Sequence, residues 1–177
     1  MPHPVARQYV ARVYKHSWFS RTALLIALAA LTCITGIASH VDAHERYGTP
    51  EDETKWMQGI VDEFRAQLGV PQRVAVTIVP KNPLMVSVEP VDDHASAFTL
   101  SIEESFLVDL KDDEVRAAMA HELGHVWIFT HHPFLQTEGL ANEIARRLVA
   151  RDNLVRVYEK VWQRQGTTGD LARLIGD

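Results

Sequence analysis

Residues 118–142 read AMAHELGHVWIFTHHPFLQTEGLAN, and they contain His121, Glu122 and His125 in the order H-E-x-x-H. At helical pitch His121 and His125 stand one turn apart on a single face, so both imidazoles can address one ion. Glu122 is offset enough to address a water on that ion rather than the ion itself. Zinc suits this arrangement, because imidazole is its common ligand and a third protein ligand leaves one position open for water. Leu123, Val126 and Trp127 supply apolar surroundings, and Gly124 allows another backbone to come close.

Two residues compete as third ligand. His131 has the spacing of H-E-x-x-H-x-x-G-x-x-H, but that pattern needs glycine at position 128 for the chain to leave the helix. Position 128 is Ile, flanked by Trp127 and Phe129, and no methionine follows Met119 to form the Met-turn that accompanies the pattern. The helix should therefore continue and carry His131 to its end, where a cationic side chain is favoured by the dipole. Glu138 is the other candidate. Pro133 breaks the helix, and a second one begins near Gln136-Thr137 and folds back on the first. Glu138 and Asn142 then fall one turn apart on one face: the carboxylate completes a His-His-Glu set, and the amide can orient His121 from behind. Glu143 lies on a different face, with Arg147 four residues on as a surface partner.

HELGH followed closely by EGLAN resembles the gluzincin class of zinc metallopeptidases, whose signature is H-E-x-x-H with a downstream glutamate. The resemblance covers residues 98–147. It implies a zincin-like fold with zinc on His121, His125 and Glu138, and Glu122 as the general base. It also implies that the strand at residues 98–102 is the edge along which an extended peptide aligns. The short connection from His125 to Glu138, with no sizeable domain after it, reads as a minimal catalytic core.

The surrounding sequence agrees with a single domain. The chain has 177 residues, 46% hydrophobic and 23% charged, which is a globular composition with room for one core. Lys and Arg are scattered without a basic face, so nucleic acid is not expected as a partner. Cys33 is the one cysteine, so any metal must be held by His, Glu or Asp.

Residues 1–21 carry Arg7, Arg12, Lys15 and Arg21 and no acid, and residues 22–39 carry no charge at all. Together with Val41-Asp42-Ala43 this reads as an export signal cleaved to leave His44 first, or else as a retained membrane anchor. Residues 44–177, the expected catalytic domain, hold 14 basic and 22 acidic residues, a net charge of −8. That domain is expected in a secreted or periplasmic setting, meeting a membrane only if the anchor is kept.

The remaining elements follow from periodicity. A helix starts at Thr49-Pro50, carries Met57, Ile60, Val61 and Phe64 on one face and stops at Gly69. Residues 73–79, 84–88 and 98–102 read as strands, and His94 as a solvated loop residue. Short helices follow at 103–110 and from Asp112, then a helix at 153–165 and an amphipathic tail. Tyr158 sits among Leu154, Val161 and Trp162 and reads as packing. Tyr158, His131 and His132 are available as oxyanion donors, and no spacing rule selects among them.

The expected architecture is α+β: a small mixed sheet of about three strands packed on the H-E-x-x-H helix and a following glutamate-bearing helix. The expected activity is a zinc-dependent metallopeptidase, endo- rather than exo-acting, on a peptide or protein substrate. The alternatives are a non-catalytic, zinc-stabilised protein-binding module of the same fold and a zinc hydrolase of a non-peptide bond.

Overall fold

The computed structural model describes residues 48–176. The expected export segment, residues 1–43, lies outside them. Helix α1 (Pro50–Leu68) begins as its sequence dictates. Thr49 Oγ1 accepts from the Asp52 amide at 3.2 Å, Pro50 takes the first turn, and Glu51, Asp52 and Glu53 sit at the positive end. It ends at Gly69, whose φ of 67° is a left-handed conformation that a side chain would strain.

Strands β1 (Arg73–Val79), β2 (Val86–Pro90) and β3 (Ala97–Glu103) make one mixed sheet in the order β1-β3-β2. β3 runs parallel to β1 and antiparallel to β2. Two expectations are corrected. The second strand lies two residues later than the alternation suggests, because Asn82 folds the preceding residues into a turn. Its Oδ1 accepts from the Leu84 amide at 3.0 Å, its Nδ2 donates to Ser87 Oγ at 3.0 Å, and Met85 takes a φ of 64°. The strand at 98–102 is also not an edge. β3 is central, and β2 is the edge on the side of the H-E-x-x-H helix.

Five helices follow: α2 (Glu104–Asp109), α3 (Asp112–His131), α4 (Glu138–Ala145), α5 (Arg151–Gln165) and α6 (Leu171–Ile175). α3 continues through Ile128 to His131, as the absence of a glycine predicts. Its Val115, Met119, Leu123 and Val126 are buried in one core with the α1 stripe and with Val74, Leu100 and Ile102 of the sheet. No helix of the described residues is long and apolar enough to cross a membrane.

Helix α5 is held across the start of α3 by charge. Arg156, Lys160 and Arg164 recur one turn apart. Arg156 meets Asp113 at 2.6 Å, Lys160 meets Glu114, and Arg164 meets Asp109 at 2.8 Å. Glu114 is buried, and its carboxylate also accepts from the Lys111 amide at 2.8 Å to cap α3. These pairs fix the register of α5 and so place Tyr158, which projects from it towards the histidines.

Candidate metal centre

Helices α3 and α4 approach closely enough to bring their side chains to one point because of Gly124. A Cβ built there would lie 2.4 Å from the Ala141 carbonyl oxygen and 3.0 Å from the Ala141 Cα. Only glycine permits this contact, and it places Glu138, at the first position of α4, over the exposed end of the two imidazoles. Thr137 caps α4 by accepting from the Leu140 amide at 3.2 Å.

His121, His125 and Glu138 come together as expected, forming a group that could hold a metal ion. His121 Nε2 and His125 Nε2 are 3.2 Å apart. Glu138 Oε2 lies 3.3 Å from the first, and Glu138 Oε1 lies 3.5 Å from the second. Ligands about 2.05 Å from a tetrahedral ion stand about 3.3 Å from one another. The two imidazole nitrogens agree with that edge length, and each faces one oxygen of the Glu138 carboxylate.

The protonation pattern points the same way. His121 Nδ1 faces Asn142 Oδ1 at 2.8 Å, and His125 Nδ1 faces Gln136 Oε1 at 3.2 Å. Each amide's nitrogen is committed elsewhere. Asn142 Nδ2 donates to Tyr158 Oη at 2.9 Å and to the Leu174 carbonyl at 3.0 Å, and Gln136 Nε2 donates to the His125 carbonyl at 3.2 Å. Both amides therefore turn their oxygens to the rings and accept Nδ1–H, leaving both Nε2 lone pairs aimed at the same point. Two lone pairs and a carboxylate converging at 3.2–3.5 Å repel unless a proton or a metal cation lies between them.

The titration of the metal-free group reflects that demand. Burial pushes the His121 pKa down, but the hydrogen bond and charge of Glu138 outweigh it and raise it to about 9. Burial pushes the Glu138 carboxyl up, and its hydrogen bonds to the two imidazoles overcome this and hold it well below the usual carboxylate range.

Glu122 is 6% exposed and lies on the cleft beside this group, where its carboxylate takes a backbone hydrogen bond from Val88 of β2. Burial holds its carboxyl above the ordinary range against the pull of both imidazoles. Tyr158 donates to Glu138 Oε2 at 3.1 Å, and its ring meets His121 edge-on with centroids 5.8 Å apart. Burial and the nearby Glu138 charge raise its pKa, so the phenol stays neutral and remains a donor.

The other candidates stand apart. His131 is exposed at the end of α3, stacked on Trp127 with centroids 4.3 Å apart. Glu143 is exposed and outside the group, and Arg147 lies over the Trp127 ring at 5.6 Å from its centroid. His94 is exposed in its loop. Two contributors were not assigned from sequence. Gln136 sits in a non-helical connection, where periodicity carries no information. Tyr158 shares the apolar stripe of α5, which conceals a hydroxyl aimed at α4.

Above the group opens a cavity of about 450 Å³, lined by β2, α3, the start of α4 and α5. Compared with protein-family models, with curated proteins and with solved structures, the chain gave no match.

Proposed function

We propose that the protein is a zinc-dependent metalloendopeptidase of gluzincin type, with a zincin-like fold reduced to its catalytic core. The observation that carries this reading is the pairing of a His-His-Glu donor group with a buried carboxylate beside it, Glu122, which a purely structural site would not need. Two imidazoles and one carboxylate suit zinc and leave a fourth position open. When bound, zinc would polarise a carbonyl and bring the pKa of its water towards about 7.

The chain's own residues supply the rest. Glu122, made more basic by burial, is placed to take a proton from water and pass it to a leaving amine. Tyr158 presents a neutral O–H at the same site, placed to donate to charge developing on the substrate oxygen. Asn142 and Gln136 hold the two imidazoles in the tautomer that keeps Nε2 free. The N–H of Val88 on the edge strand steadies Glu122, so that strand serves the base by its amide and the substrate by its outward carbonyls.

The test is Glu122→Gln. The variant is expected to keep one zinc per chain and to lose hydrolysis of unfolded protein substrates by at least a hundredfold, the usual range for a general base. Unchanged hydrolysis would remove Glu122 from that role. A wild-type chain that binds zinc and cleaves nothing would favour the non-catalytic binding module.

A further inference from the structure

We propose that the cleft takes an extended peptide with bulky apolar side chains on both sides of the reacting carbonyl, an inference that rests on the hydrolytic reading above. The cavity is elongated by its walls. Met85 and Glu103 are joined by a backbone bond of 2.7 Å, and Val91 and Ala97 by one of 2.9 Å. Alternation in an antiparallel ladder then turns the carbonyls of Val86, Val88 and Pro90 away from β3 as acceptors. The Val86 amide already donates to the Leu84 carbonyl at 2.7 Å, the Val88 amide donates to Glu122, and Pro90 has none. Five residues of strand span about 16 Å, a length that matches an extended chain rather than a compact small molecule. Val88 lies at its centre beside Glu122, so substrate would continue in both directions from the reacting bond.

Both directions are apolar. At one end Pro90 pairs with Phe98, whose ring meets Phe129 edge-on at 5.7 Å, one turn beyond His125. At the other end lie Leu84, in the turn before β2, and Val86, its first residue. Arg164 reaches Glu103 at 3.3 Å and so brings the last turns of α5, with Val161 and Trp162, to the same end. Among the described residues lining the cavity, the charged or titratable groups besides Tyr158 are His121, Glu122, His125 and Glu138, all committed to the metal centre. No lysine or arginine there can take a terminal carboxylate, and no further acid can take a terminal amine. Charged substrate side chains would lose their water without gaining a partner.

The experiment uses the full chain carrying Glu122→Gln, loaded with zinc, and a series of fluorescein-labelled hexapeptides read by anisotropy. The central pair is Leu or Phe on both sides, then Asp, Lys or Gly on one side at a time. Each replacement of an apolar side chain is expected to weaken binding by on the order of tenfold or more. Val161→Lys, at a half-exposed position of α5, is expected to abolish the penalty for Asp on one side and leave it on the other. Equal affinity across the series, a preference for charge, or no binding at all would overturn the proposal. Wild-type protein that leaves these peptides intact, while the Glu122→Gln form still prefers the apolar ones, would overturn hydrolysis but not the ligand class. Cleavage without apolar preference would do the reverse.

Discussion

Gly124→Ala is the most informative single change, because it adds one methyl group outside the ligand set and acts on the spacing of the two helices. The new Cβ would stand 2.4 Å from the Ala141 carbonyl oxygen, whereas ordinary contact begins at 3.4 Å. The obstacle is backbone, so α4 must withdraw from α3 by roughly 1 Å, a displacement a close-packed interior resists. Glu138 rides on α4. Its two carboxylate oxygens, 3.3 and 3.5 Å from the imidazoles, would move out of reach of an ion held between the two rings. Overpacking of this kind costs about 1–3 kcal/mol of stability. Loosening a ligand by this much is expected to weaken metal affinity by about 10- to 100-fold, comparable to losing a supporting hydrogen bond. Competition with a chromogenic chelator measures the affinity, and urea unfolding with and without zinc measures the stability. Gly59→Ala is the control: a Cβ there meets nothing within 4 Å, and the exchange should stabilise α1 by about 0.8–1 kcal/mol. Gly124→Ala protein that binds zinc within twofold of wild type would refute the claim that this helix contact sets the site.

Four further outcomes are expected. Metal affinity should rise with pH up to about 9. The metal-free His121 pKa is raised to that value, so binding must expel a proton until then, and isothermal titration in buffers of different ionisation enthalpy would count it. The same shift contributes stability to the metal-free chain that is fully present below the unfolded value of 6.5 and lost as pH rises through about 9, a window that thermal unfolding across pH would trace. Ile175→Ser should unseat the tail whose Leu174 carbonyl fixes Asn142, weakening metal affinity about tenfold and broadening the His121 Nδ1–H resonance. An equally destabilising Val61→Ala in α1 should leave that resonance unchanged. Lys160→Met should cost about 2 kcal/mol in urea unfolding, because buried Glu114 loses its nearest charged partner and keeps Arg156 at 3.4 Å.

The parts of this site that were legible in the sequence are those fixed by helical pitch. One turn separates His121 from His125, and one turn separates Glu138 from Asn142, so each pair shares a face whatever the rest of the fold does. Ile128 excluded His131 by the same local logic. Sheet order was not legible, because a β-branched run such as 98–102 suits a central or an edge strand equally. Tyr158 and Gln136 were concealed for opposite reasons: one lies within a regular apolar stripe, the other in a stretch with no period. The ladder of Arg156, Lys160 and Arg164 is regular in sequence, but its acidic partners come from α2 and α3, and only tertiary contact joins them.

The most direct measurement is anomalous diffraction at the zinc edge from crystals of the zinc-loaded protein. The account predicts one ion per chain, bound by Nε2 of His121, Nε2 of His125 and the Glu138 carboxylate at about 2.0–2.2 Å, with a fourth position open towards Glu122. An ion bound through His131 or Glu143, or no ion between the two histidines, would contradict it.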